Sequence, residues 1–313
     1  DTLAYLALLG DKQLLFSDAG DAFIMYQRSG RSMVALGDPA GNPARFEELC
    51  WKFRELCDRH SSWPVFYQVS SEQLPLYLDL GLELAKLGEE ARVLLPEFSL
   101  EGSKRSSLRN EYRRGAKEGA SFGMLSPEEV EANLPRLKEI SDHWLRSKSA
   151  AEKGFSVGRF DPDYIRRFPC ACVFREGRIV AFTNLWLSRA REEFSIDLMR
   201  YGAEAPRGVM DYLFIELMLW GKKEGYRWFN LGMAPLAGLE NHPLAPFWHK
   251  LGRIVHRYGE TFYNFEGLRR YKDKFGPQWR PRYMASPGGL VLPRVLLDTA
   301  ALIAGGVREV VWK

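Results

Sequence analysis

Long apolar runs are missing from this sequence. No stretch reaches the roughly 18 residues that a bilayer-spanning helix needs. The nearest approach, residues 290–312, is interrupted by Pro293, Arg294, Asp298 and Gly305-Gly306. Cysteine is scarce as well: Cys50, Cys57, Cys170 and Cys172 are the four in 313 residues. Neither a seven-residue separation nor Cys-x-Cys is a zinc-ligand spacing, so these read as reduced, buried thiols, with Cys170 and Cys172 on one face of a strand. Among the five histidines, His242, His249 and His256 recur every seven residues, but Pro243 and Pro246 separate the first from the helix carrying the other two. No metal is expected. No charged and apolar leader with a small-residue cleavage site is seen, which argues against a secretory signal. No Gly-x-Ser-x-Gly elbow supports Ser/His/Asp catalysis.

What is present is an ordinary globular composition, 46% hydrophobic and 27% charged. This excludes a disordered, collagenous or disulfide-scaffold chain and suffices for about two domains of ~150 residues. Apolar periodicity predicts a hairpin over residues 22–27 and 32–36, a loop Gly37-Asp-Pro-Ala-Gly41 and a helix over 43–60. A strand over 65–69, a short helix from Ser71 and a strand over 90–95 follow. The order recurs later: a hairpin over 171–175 and 179–187 extended by a strand over 193–201, a helix over 209–224 and a strand over 228–231. A helix over 245–256 and a strand over 261–265 complete it. This architecture resembles an α/β (α+β) fold of the GCN5-related N-acetyltransferase type used in tandem, with mixed sheets flanked by helices. Such a fold implies two neighbouring parallel strands that splay to admit an acyl donor, here near residues 228–231. The Gly-rich pyrophosphate loop of coenzyme A enzymes is absent. The expected divisions are a first lobe over 1–100, a basic connecting helix and strand over 101–125, a second lobe with the reaction centre over 126–289, and a C-terminal amphipathic helix over 290–313.

The net charge of +4 conceals two basic segments. Residues 104–118 hold six basic side chains against two acidic ones, and Arg105, Arg109 and Arg113, with Arg114 beside them, place guanidiniums along one helix face. Residues 269–282 hold six against one, interleaved with Tyr271, Phe275 and Trp279. Basic and aromatic groups together suit nucleic acid or an anionic lipid surface.

The stretch Phe262-Tyr-Asn-Phe-Glu-Gly-Leu-Arg-Arg-Tyr-Lys-Asp-Lys-Phe-Gly-Pro-Gln-Trp-Arg-Pro-Arg-Tyr283 is similar to the catalytic-domain signature of the aminoacyl-phosphatidylglycerol synthases, the multiple peptide resistance factor family. So are Ser195-Ile-Asp-Leu-Met-Arg200, Phe229-Asn-Leu-Gly-Met-Ala-Pro-Leu236 and Gly37-Asp-Pro-Ala-Gly41. The resemblance extends over nearly the whole chain and is strongest to the alanyl branch. It implies transfer of an amino acid, alanine favoured, from aminoacyl-tRNA to a glycerol hydroxyl of phosphatidylglycerol. The product lowers the membrane's negative charge and confers resistance to cationic antimicrobials. It also implies an upstream membrane-embedded region and a place on the cytoplasmic face of the bacterial inner membrane. The alternatives are lysyl transfer, a tRNA-dependent peptidyl transferase of peptidoglycan precursors, and a non-catalytic RNA- or lipid-binding module.

Such a transesterification needs a proton acceptor and cations for phosphate, and neither metal nor cofactor. Asp197, a carboxylate inside an apolar strand, is the expected proton acceptor, with Lys272 as its catalytic companion. Arg200, Arg269 and Arg270 are expected to bind substrate phosphate or carboxylate. Glu266, placed at a strand end beside Gly267, and Glu240 are candidates for the substrate α-ammonium. Arg105, Arg109, Arg113 and Arg114 are assigned to tRNA or lipid phosphate. The tail is expected either to pack on the core or to lie on a bilayer.

Overall fold

The computed structural model describes residues 1–148, 151–239 and 265–305. A 3-10 segment, Thr2–Leu9, precedes β1 (Gln13–Phe16), β2 (Ala22–Ser29), β3 (Ser32–Leu36) and the two-residue β4 (Ala40–Gly41). The first half continues with α1 (Phe46–Arg59), β5 (Trp63–Ser70), α2 (Leu74–Asp79) and β6 (Glu83–Leu94). α3 (Ser106–Lys117), β7 (Ser121–Leu125), α4 (Pro127–Ser147) and the one-turn α5 (Pro162–Ile165) then lead to β8 (Cys170–Arg175), β9 (Arg178–Leu187) and β10 (Glu193–Tyr201). After α6 (Val209–Lys223) and β11 (Trp228–Pro235) come α7 (Phe265–Asp273), β12 (Gln278–Ser286) and α8 (Leu292–Ala304). Local chemistry accounts for the boundaries. Ser126 and Glu129 form a capping box with Pro127 in the first turn of α4, and Gly305 in the left-handed region ends α8.

Among the described residues all strands join one mixed sheet of order β1-β2-β3-β5-β12-β6-β11-β10-β9-β8-β7, with β4 pairing β2. The expected mixed α+β architecture is therefore present, and each half keeps the hairpin, helix, strand order. The halves also exchange strands. β12, late in the chain, lies between β5 and β6, and β6, from the first half, pairs antiparallel with β11 of the second. The expected lobes therefore share one continuous sheet.

Alternation within the strands divides the apolar residues between two faces. One face carries Val34, Leu36, Cys170, Cys172 and Met284 against the N-terminal segment, α4, α5 and α8. On the opposite face α1 and α2 cover the first half, while α3, α6 and α7 cover the second. The four cysteines are buried and free, as expected. Among the described residues no group of His, Cys, Asp and Glu is arranged to hold a metal, and no helix is long and apolar enough to cross a membrane.

Three strands are additions to the sequence expectation, β1, β12 and the two-residue β4 in the expected loop. Pro281 argues against a central strand because it cannot donate to a ladder. β12 tolerates it because pairing with β5 begins only at Arg282, so at Pro281 only β6 is a neighbour. Glu266 is corrected: it lies inside α7 rather than at a strand end. The helix expected over 245–256 and most of the strand over 261–265 lie outside the described residues. For the tail, Leu292 and Val295 pack into the core, so the inner face of α8 is a core element.

Candidate functional site

β10 and β11 run parallel for only three paired positions, Glu193 with Trp228, Phe194 with Phe229 and Ser195 with Asn230. Beyond these they part, β10 staying with β9 and β11 with β6. Irregularities lie just past the parting point on both sides, between Ile196 and Met199 and between Asn230 and Met233. The divergence is therefore built into both strands, and it exposes backbone and side chains within an otherwise continuous sheet. Asp197 lies two residues past the parting point on β10, and Gly232 two residues past it on β11.

On the β11 side stands Lys272. Its helix α7 packs through Tyr271, with Phe275 just past the helix end, against the α6 face, and only 6% of Lys272 is exposed. Its Nζ donates to the carbonyl oxygens of Gly232 at 2.9 Å and Met233 at 3.0 Å. Burial pulls its pKa down to about 7, against an opposing pull from the Glu90 carboxylate. Gly232 makes this geometry available. Its φ of +78° lies in the left-handed region, and its N–H is held by Asn230 Oδ1 at 2.8 Å.

On the β10 side, Asp197 accepts from Gly158 N–H at 2.8 Å, Tyr164 Oη at 2.9 Å and Asn184 Nδ2 at 3.4 Å. Burial raises its pKa, and these three donors restrain the rise. Tyr164 accepts in turn from Trp186 Nε1 at 3.1 Å, so a chain of side chains fixes the carboxylate. A Cβ on Gly158 would lie 1.9 Å from Asp197 Oδ2. Asn184 also accepts from Leu198 N–H at 2.9 Å, which pins the irregularity of β10. In the Tyr164→Phe variant, loss of one donor to the charged form is expected to move the Asp197 carboxyl titration higher. Stability falls by about 1–2 kcal/mol because the Trp186 N–H loses its acceptor. A 13C NMR titration of the aspartates checks the shift, which an unmoved Asp197 would contradict, and urea unfolding of parent and variant checks the stability loss.

Between the halves lies a buried polar cluster. Glu90 on β6 takes a 2.6 Å hydrogen bond from Arg282 Nη2 on β12. Burial alone would raise the Glu90 pKa, but Arg282 and Asn230 reverse the sign and hold it below the ordinary range. Arg92 pairs with Glu193 at 2.7 Å, and Thr2 Oγ1 donates to the same carboxylate at 2.9 Å. At the end of β3, Asp38 of the Gly37–Gly41 loop accepts from Tyr77 Oη at 2.7 Å and Ser70 N–H at 3.1 Å.

The other expected residues fare differently. Arg200 is buried against Trp144, 4.1 Å from its ring centroid, and pairs with Glu152 at 3.1 Å. Arg269 stacks on Trp279 and pairs with Glu89 at 2.8 Å. Lys274 pairs with Asp211 and Arg280 with Glu72. Much of the second basic segment is thus spent inside the molecule. On α3, Arg109 donates to the carbonyls of Leu100 and Gly102 and Arg114 to Glu111, while Arg105, just before the helix, donates to that of Lys274. Arg113 and Arg270 are exposed. Glu240 lies outside the described residues. Tyr164, Asn184, Glu90 and Arg282 were not among the expected site residues; the adjacent carboxylates Glu89 and Glu90 in β6 were the available signal.

The family profile described as "Phosphatidylglycerol lysyltransferase, C-terminal" matches residues 1–286. A phosphatidylglycerol lysyltransferase of Bacillus subtilis is 41% identical over 287 residues, covering 91% of this chain and 33% of that protein. The chain thus spans about a third of the length of the curated relatives it matches. Among solved structures, the C-terminal domain of a putative lysylphosphatidylglycerol synthetase from Agrobacterium fabrum aligns with a TM-score of 0.89 at 42% identity, covering 98% of this chain and 94% of that one. The L-PGS structure from Bacillus licheniformis aligns at 0.85 with 38% identity, covering 97% and 92%.

Proposed function

The chain belongs to the phosphatidylglycerol lysyltransferase C-terminal family, and from that premise we propose that it moves an aminoacyl group from aminoacyl-tRNA to a glycerol hydroxyl of phosphatidylglycerol. The observation that carries the reading is Lys272, buried beside the gap between β10 and β11 with a pKa near 7. A neutral amine has two N–H groups and one lone pair. Its two hydrogen bonds to the Gly232 and Met233 carbonyls orient both N–H groups and leave the lone pair as a proton acceptor.

In the proposed step the lipid hydroxyl gives its proton to Lys272 Nζ while its oxygen attacks the ester carbonyl. The ester bond to the tRNA ribose then breaks, and the departing ribose oxygen takes the proton back from Lys272. Asp197, whose two oxygens already accept hydrogen bonds, holds the β10 side of the gap, so the proton acceptor moves from Asp197, where the sequence suggested it, to Lys272. The exposed Arg113 and Arg270 are assigned to the phosphates of tRNA. For the cargo, the names of the relatives favour lysine over the alanine suggested by the sequence.

The test supplies the protein with phosphatidylglycerol vesicles and tRNA carrying radiolabelled lysine or alanine. Lysine label entering the chloroform phase is the expected result. Alanine label alone would restore the alanyl assignment. Label absent from lipid with both tRNAs, and transferred instead to a peptidoglycan precursor, would reject the lipid acceptor.

A further inference from the structure

One end of the sheet carries an exposed apolar and cationic stripe. The 3-10 turn Gly289–Val291 leads into α8, and Leu290, Pro293, Arg294 and Leu297 follow at offsets of three, four and seven, which is one helix face. The buried set Leu292, Val295, Asp298 and Thr299 occupies the other. Leu290 is 100% exposed and Leu297 52%, an arrangement that nothing among the described residues repays.

The stripe is anchored firmly. Asp298 accepts from Ser32 Oγ at 2.9 Å and from Arg294 Nε at 2.9 Å, which binds α8 to the β2–β3 turn. That turn adds the exposed Arg28 and Arg31, the latter 4.7 Å from the ring centroid of a half-buried Trp63. Three guanidiniums and two leucines therefore stand together, with Glu83 as a neighbouring carboxylate beside Gly288.

The same end of the sheet is where the catalytic gap opens. β11 and β12 both run antiparallel to β6, with Pro235 opposite Gly88 and Ser286 opposite Glu83. The free ends of β11 and β12 therefore point the same way, two strands or roughly 10 Å apart sideways, with β12 ending five residues of β6, or ~17 Å, further along.

We propose that the outer face of α8, with the β2–β3 turn, is the surface by which the protein seats on an anionic bilayer, presenting the mouth of the β10–β11 gap to its lipid acceptor. The leucines enter the acyl boundary and the arginines meet the phosphates. Mixed apolar and cationic character selects this occupant over a protein partner, and seating at this end rests on the lipid-acceptor reading above.

The experiment is co-sedimentation of the 313-residue chain with vesicles of phosphatidylglycerol and phosphatidylcholine, compared with phosphatidylcholine alone. The Leu290→Ser/Leu297→Ser variant is expected to lose at least about tenfold in partitioning to the anionic vesicles. Arg28→Ala/Arg31→Ala is expected to lose roughly tenfold on anionic vesicles with little change on neutral ones. Circular dichroism confirms that both variants fold. Aminoacyl transfer should fall on vesicles but persist on detergent-dispersed phosphatidylglycerol, which separates the surface from the chemistry. Reduced vesicle binding without transfer to any lipid would retain the surface and reject the reaction. Unchanged partitioning, or leucine substitutions that instead abolish self-association in sedimentation equilibrium, would overturn the proposal.

Discussion

Replacing Lys272 with methionine is expected to lower aminoacyl transfer by about 10²–10⁴-fold, the usual contribution of a positioned proton acceptor. Methionine fills much of the same volume without the charge. Loss of two hydrogen bonds is offset by removal of a buried amine, so stability should stay within about 2 kcal/mol of the parent. Arginine at this position stays charged and cannot rescue the rate. In the parent, transfer should climb as pH rises through 7, because protonated Lys272 cannot accept a proton and its pKa lies near 7. Stability carries a matching signature. Between about 7 and the ordinary 10.5 the unfolded chain binds a proton that the native state does not, so native stability rises with pH across that window. Urea midpoints at pH 7 and pH 9 should show the slope in the parent and lose it in Lys272→Met. A variant with full activity at pH 7 would remove Lys272 from the mechanism.

Arg282→Met should be the most destabilising of the polar substitutions. It leaves Glu90 buried without the guanidinium 2.6 Å away, and breaking such a pair from one side costs about 3–5 kcal/mol. For a domain of this size that corresponds to roughly 6–15 °C in Tm. Adding Glu90→Gln should recover a large part of the loss, because the uncompensated charge disappears. The pH dependence follows from the depressed Glu90 pKa. The native carboxylate contributes above its ordinary value of 4.5, and its contribution is lost as pH falls through the lower native value. Calorimetry of the single and double variants checks the statement, and equal losses in both would contradict it.

Much of this was legible in the chain. Hairpins and helices follow from apolar periods of two and 3.6, the parallel pair was implied by the fold resemblance, and Asp197 and Lys272 stood out as a carboxylate within an apolar strand and a cation among aromatics. The polar cluster was not legible. Glu90 and Arg282 are 192 residues apart, and their pairing depends on β12 entering the sheet centre, which no local pattern specifies. Tyr164 sits on a one-turn helix capped by Asp161, too short for periodicity to mark, and its role emerges only from its contact with Asp197. The second basic segment misled for a related reason: composition records the charges of residues 269–282 but not the carboxylates of Glu89, Glu90, Glu72 and Asp211 that the fold sets beside them.

The exchange of β6 and β12 also governs how the molecule is born. During synthesis β5 and β6 leave the ribosome well before β12, which begins 184 residues after the last residue of β6. At the usual 5–20 residues per second this is an interval of roughly 10–40 s. Throughout it two hydrogen-bonding edges wait without the strand that belongs between them, exposed to neighbouring nascent chains. Long-range pairing of this kind makes slow folding, and expression of either half alone leaves its sheet short of a strand supplied by the other.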